Sequence, residues 1–134
     1  MKQEYIIGDV VMYDNKIMVI KEPRDGIHFD LSCPEEKLVY CCVGVEDIKP
    51  MPLTSEILEK NGFGFTRNSD TKSVWNGWWI YKGLELATSC LNREGNWPCY
   101  INIYDSNIKC EYVHQLQHAL RLCKLGDLAD NFKV

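Results

Sequence analysis

Pro50-Met51-Pro52 is the strongest constraint on how this chain can fold. Neither proline has a backbone N–H, so a helix or central strand running through the stretch would lose two hydrogen bonds. The architecture has to change there, and the residues on either side read differently. Before it, short β-rich runs alternate with turn residues. After it come a helix signal, an aromatic segment and an amphipathic stretch. The expected division is 1–53 and 54–134. The whole is expected to form one compact unit, since 134 residues is an ordinary size for a single domain.

In the first half, Gly8 to Tyr13, Asp14-Asn15 and Lys16 to Lys21 predict a β-hairpin. Val11 and Tyr13 alternate with Val10 and Met12. On the next strand, Ile17, Val19 and Lys21 alternate with Met18 and Ile20. Grouping by odd and even numbers places Val11 and Tyr13 with Ile17 and Val19, and Val10 and Met12 with Met18 and Ile20. Pro23-Arg24-Asp25-Gly26 is a turn, because Pro fixes φ and Gly accepts a positive one. Ile27 to Leu31 reads as a third strand, Ser32 to Glu36 as a loop, Lys37 to Val43 as a fourth strand and Val45 to Ile48 as the last. Five such strands suit a small SH3-like barrel.

Beyond the prolines, Thr54 offers an N-cap hydroxyl, Ser55 to Asn61 a short helix with Ile57 and Leu58 inward, and Gly62 its stop. Phe63 and Phe65 are expected to pack just after it. Thr66 to Lys72 is polar and turn-like, and Val74 to Tyr81 a strand or hairpin. Leu84 to Leu91 and Trp97 to Tyr104 continue as strands around an Asn92–Asn96 turn, giving a second antiparallel sheet of about three strands. Glu111 to Leu125 predicts a helix with Glu111 in its first turn and Val113, Leu116, Leu120 and Cys123 as its apolar stripe. Gly126 would stop it, and Leu128 to Val134 reads as a docked tail or edge strand. The fold class is therefore α+β: an SH3-like β-barrel packed with a C-terminal antiparallel sheet and one amphipathic helix.

At 46% hydrophobic and 25% charged residues, the composition is that of a globular chain able to fold alone. No apolar run nears the roughly 20 residues of a membrane span, and Met1 to Val10 lacks a signal-peptide pattern. The chain is therefore expected in the cytoplasm, away from a membrane. Seven cysteines are an odd number, and Cys41-Cys42 would face opposite sides of a strand. Free, mostly buried thiols are expected. Residues 1–53 carry 6 basic and 10 acidic groups, and 54–134 carry 9 of each. That balance disfavours nucleic acid, whose non-specific binding rests on phosphate neutralisation by Lys and Arg.

Several constellations could carry chemistry. Cys110, His114 and His118 are spaced four apart, so the helix could offer three ligands to zinc, although no CxxC or HExxH pattern accompanies them. The alternative is a pair of histidines flanking the buried stripe. A thiol nucleophile would need Cys33, Cys90 or Cys99 to meet His28 or His114 through the fold. Small apolar packing residues are the plainer reading. Trp75, Trp78, Trp79 and Tyr81 cluster in one segment, with Trp97 and Tyr100 as further members. They are either sheet core or a stacking platform. Trp78 and Trp79 are adjacent and must face opposite sides of a regular strand, so one becomes the binding-anchor candidate. Asp105, Glu111, Asp127 and Asp130 read as solvated, and Gly62, Gly64 and Gly77 as turn residues. No catalytic residue and no cofactor is assigned.

Three stretches resemble small uncharacterised proteins of phages, prophages and mobile elements in Bacteroides-type bacteria. They are Ile7-Gly8-Asp9-Val10-Val11-Met12-Tyr13, Glu46-Asp47-Ile48-Lys49-Pro50-Met51-Pro52-Leu53-Thr54, and Tyr112-Val113-His114-Gln115-Leu116-Gln117. A Thr-Gly ending usual in that group is replaced here by His118-Ala119-Leu120-Arg121-Leu122-Cys123 and Gly126. The resemblance implies a mobile-element setting and carries over no activity. The expected function is a non-enzymatic accessory protein that docks on another protein. A nucleic-acid role resting on Arg67, Lys72, Lys82 and Arg93 is the runner-up, and a hydrolase or thiol enzyme comes third.

Overall fold

Asp14 and Asn15 both adopt left-handed backbone angles, with φ of 52° and 59°, as a two-residue hairpin turn matched to strand twist requires. They join β1 (Val10–Tyr13) to β2 (Lys16–Pro23), and the register pairs Val11 with Met18 and Met12 with Ile17. A two-residue loop makes paired numbers sum to an odd value, so each odd residue faces an even one. The grouping of Val11 with Ile17 and Val19 is thereby corrected: Val11, Met18 and Ile20 enter the core together, at 0%, 0% and 1% exposure.

The computed structural model describes residues 5–70, 72, 75–89, 99–103 and 106–134, with positions 75, 76, 89, 103 and 106 described by backbone alone. Among them are two antiparallel five-stranded sheets and a few short helices, an α+β architecture. The chain divides into two units, Met1–Met51 and Pro52–Val134.

In the first unit, β3 (His28–Cys33) and β4 (Leu38–Gly44) extend the hairpin, and β5 (Lys49–Pro50) returns beside β1. The sheet order is β4-β3-β2-β1-β5. Val45–Ile48 is not the last strand. Val45–Asp47 forms one 3-10 turn, closed by Ile48 N–H donating to the Val45 carbonyl at 3.2 Å. The β-branched ends mimic a strand pattern, but only Ile48 enters the core. Pro50 is tolerated in β5 because an outer strand has one side that needs no ladder bond. The core gathers Tyr5, Val11, Met18, Ile20, Phe29 and Leu31 with Cys33, Val43 and Ile48. Burying each large side chain contributes on the order of 1.5–3 kcal/mol.

The second unit opens with α1 (Ser55–Lys60). Thr54 Oγ1 caps it by accepting from Ile57 N–H at 3.3 Å, Ile57 and Leu58 are buried, and Gly62 leaves it with φ of 87°. The sheet that follows is β6 (Gly64–Arg67), β7 (Trp75–Tyr81), β8 (Leu84–Ser89), β9 (Cys99–Ile103) and β10 (Ser106–Cys110), in the order β10-β9-β8-β7-β6. About three strands were expected. The two missed ones are the outer strands: the end of β6 falls where the sequence reads as turn-like, and β10 lies in a stretch given no element. Gly64 and Gly77 are strand residues, in β6 and β7, rather than turn residues. The Asn92–Asn96 turn lies outside the described residues.

Helix α2 (Val113–Leu122) begins two residues later and ends three residues earlier than the sequence suggests, so Gly126 does not stop it. Glu111 precedes it, and Gln115 Oε1 accepts from the N–H groups of Glu111 and Tyr112 at 2.8 and 3.1 Å, satisfying donors at the helix start. Val113, Leu116, Ala119 and Leu120 are buried, and the helix packs beside β10. The run Tyr112 to Gln117 is thus a helix start with its cap and first core positions. The tail is not a strand: α3 (Gly126–Asp130) forms, and Phe132 docks at 8% exposure. Gln117 Nε2 donates to the Ala129 carbonyl at 2.9 Å and ties α3 to α2.

Candidate functional site

Strand alternation sorts the second sheet into two faces. One cross-strand row runs Phe65, Trp79, Leu86, Ile101, Ile108, and the next runs Gly77, Thr88, Cys99, Cys110. Trp79, Leu86, Ile101, Thr88, Cys99 and Cys110 are all buried, so this is the inner face. The opposite face carries Thr66, Trp78, Ala87, Tyr100 and Lys109 in a single row. Trp78, Ala87 and Tyr100 are half-buried there, with Glu85, Asn102 and Asn107 exposed nearby.

Ala87 is the reason this row is concave. A methyl group stands between two large rings on neighbouring strands, leaving an open depression of about 480 Å³ lined by Trp78, Ala87, Tyr100, Glu85, Asn102 and Asn107 among others. Asn102 Nδ2 donates to Asn107 Oδ1 at 3.3 Å, which holds the two amides side by side. Each amide keeps further donor and acceptor capacity. Among the described residues, Glu85 is the single charged side chain of the lining. Lys109, at the end of the row, is engaged with Glu111 at 3.3 Å. The depression therefore offers ring faces, amide hydrogen bonds and one negative charge.

The four aromatic candidates separate accordingly. Trp78 faces outward into the depression. Trp79 is core at 5% exposure, with its ring 5.2 Å from Phe65. Tyr81 packs against Phe63 at 5.3 Å and lies under the Lys82 ammonium at 5.5 Å. Trp75 is on β7, with only its backbone described, and Trp97 lies outside the described residues. Tyr100 joins Trp78 through the register of three strands.

The zinc candidates are not brought together. Cys110 is the last residue of β10 rather than a helix residue, fully buried, with its thiol pushed up to about 12 by burial and then by Cys123. His114 is buried and stacked on Tyr112 at 6.1 Å, while His118 meets His114 edge-on at 5.6 Å. Among the described residues no three His, Cys, Asp or Glu side chains gather as a metal site. Of the thiol-nucleophile candidates, Cys33, Cys99 and His114 are buried, and His28 is half-buried with Nδ1 3.0 Å from Asp25 Oδ1. Cys90 lies outside the described residues. Asp127 and Asp130 are exposed as expected, and Asp105 is undescribed.

A depression of about 610 Å³ in the first unit lies beside the Asp14-Asn15 turn, with Glu46, Asp47 and Lys49. Its one ring, Tyr13, is already set against Tyr40 at 5.7 Å. It is an acidic surface without a stacking floor. Among the described residues, no helix is long and apolar enough to cross a membrane. No protein family, curated protein or solved structure matches the chain.

Proposed function

We propose that this chain is a non-enzymatic accessory protein whose outer sheet face binds an extended segment of another protein. The observation that carries the reading is the row Trp78–Ala87–Tyr100, two rings flanking a methyl group beside paired amides. An apolar or proline side chain laid on Ala87 contacts both rings, and the peptide groups on either side match the donors and acceptors of Asn102 and Asn107. Nucleic acid is disfavoured, because among the described residues the lining carries a carboxylate and no Lys or Arg to meet phosphate.

The first unit is read as an SH3-like barrel. Its four-strand meander, the 3-10 turn and the short fifth strand back beside the first support that reading. A mobile-element setting is the reading that the resemblance of the three stretches given above supports.

Selection of a proline- and aromatic-rich peptide library on the full chain, followed by NMR of the indole N–H groups, tests the binding face. Selected peptides are expected to shift the Trp78 indole signal. Trp78→Ala is expected to weaken them by about 2 kcal/mol, roughly thirtyfold, as for a buried aromatic anchor. Binders indifferent to both Trp78→Ala and Tyr100→Ala would refute this face. A salt-dependent shift with single-stranded oligonucleotides, lost in Trp78→Ala, would move the reading to nucleic acid.

A further inference from the structure

Cysteine is among the residues most often buried, yet Cys41 and Cys42 are both free and both exposed. They lie in β4, an outer strand of the first sheet. Regular alternation would send adjacent side chains to opposite faces, and here the alternation is interrupted. Leu31 pairs with Tyr40 and Phe29 with Val43, so Cys41 and Cys42 together oppose the single residue Asp30. That is the count of a β-bulge.

The bulge is firmly held. Cys42 takes φ of 56°, an unfavourable conformation for a residue with a Cβ, and its N–H donates to Asp30 Oδ1 at 3.0 Å. Asp30 is fixed in turn by Arg24, whose Nη2 and Nε lie 2.6 and 2.9 Å from Oδ2.

We propose that Cys41 and Cys42 form a two-sulfur site for a soft, thiophilic ion of low coordination number, the class to which trivalent arsenic and copper(I) belong. Thiolates select soft ions. A structural zinc ion wants four ligands, and among the described residues no third His, Cys, Asp or Glu joins the pair in a metal-binding group. Two sulfurs on consecutive residues also gain from chelation, since the second bond forms within the molecule.

Phenylarsine oxide is the probe. The arsenic–oxygen bond breaks, two arsenic–sulfur bonds form, and the two thiol protons leave with the oxygen as water, with no change of oxidation state. The reduced full chain is titrated with this arsenical, and the remaining thiols are mapped by brief alkylation and peptide mass spectrometry. One equivalent is expected to protect Cys41 and Cys42 together. Cys41→Ser and Cys42→Ser should each weaken binding at least about 100-fold, at the scale of a chelate effect, while Cys123→Ser binds as the parent does. Both serine variants alter exposed positions, and circular dichroism checks their folding. Protection of only one of the two thiols, or equal affinity in either single variant, would overturn the site. So would full binding in the double variant, which places the arsenical elsewhere.

Discussion

Asn61 and Lys133 hold each other through reciprocal hydrogen bonds: Asn61 Nδ2 donates to the Lys133 carbonyl and the Lys133 N–H donates to Asn61 Oδ1, both at 2.8 Å. Nδ2 also donates to the Ile57 carbonyl at 2.7 Å. A single side-chain amide thus ends α1 and serves the C-terminal tail as a strand neighbour would. Asn61 is only 6% exposed, so water does not readily replace these partners. Asn61→Ala is expected to cost about 2 kcal/mol, the scale of buried polar groups left unmet. The urea midpoint should fall and the Lys133 amide should lose its protection from hydrogen exchange. An unchanged Lys133 exchange rate would show that the tail is held by Phe132 alone.

Gly77 has no room for a side chain. A Cβ there would stand 2.6 Å from the Thr66 carbonyl oxygen and 2.5 Å from Phe65 Cζ. The Phe65 ring can swing away, but the Thr66 oxygen belongs to the paired strand β6. Gly77→Ala is therefore expected to push β6 off β7 and destabilise the second unit by about 1–3 kcal/mol, the range for overpacking. Phe65→Ala in the same background relieves only the ring contact. If the double variant regained full stability in denaturant titration, the backbone clash would not be the cause.

Much of the first unit was legible because its turns carry explicit chemistry. Asp14-Asn15 and Pro23-Arg24-Asp25-Gly26 mark strand ends that the structure respects, and a loop of two residues even sets the pairing parity. Failures fall where tertiary contacts decide. β6 and β10 are short outer strands that mix polar with apolar residues, and pairing with a neighbour decides them. α3 depends on Gln117 reaching the Ala129 carbonyl, which no local pattern announces. The site divides in the same way. Trp78 and Trp79 had to part because they are adjacent. That Ala87 and Tyr100 would flank Trp78 depends on a register running through three strands. The exposure of Cys41 and Cys42 was missed because a bulge suspends the alternation from which burial was read.

Acid should weaken the first unit through a small set of carboxylates. Hydrogen bonds from Arg24, then the Cys42 N–H, hold Asp30 below the usual carboxylate range. His28 does the same for Asp25, and Tyr40 followed by Lys16 for Glu36. A lowered native pKa means that the unfolded chain takes up protons first as pH falls. The stabilisation is therefore complete above the ordinary carboxylate value of about 4 and lost as pH drops through the lower native value. Urea midpoints measured from pH 7 to pH 2 should fall below about pH 4.5. Asp30→Asn should flatten part of that fall while lowering stability at pH 7, where Arg24 loses its partner. An unaltered acid slope in Asp30→Asn would assign the dependence to other groups.

Alkali should act on the second unit in the opposite sense. Cys99 and Cys110 are direct partners across β9 and β10, and both are fully buried. Burial first, and a neighbouring thiol second, push Cys110 up to about 12 and Cys99 upward as well. In the unfolded chain these thiols ionise near the ordinary value of about 8.5, so over that interval the native state binds more protons. Their stabilisation is present below about pH 8.5 and is lost as pH rises toward the native values. Cys110→Ala should lower the baseline by leaving a small cavity yet reduce the alkaline slope by up to about one proton. Alkylation at pH 8 gives an independent reading. Cys41 and Cys42 should be modified at once, whereas Cys99 and Cys110 should react only as fast as the second sheet opens, and faster in urea. Rapid modification of Cys110 in the native chain would mean that β10 does not seal the inner face, and the alkaline slope assigned to it would disappear with that seal.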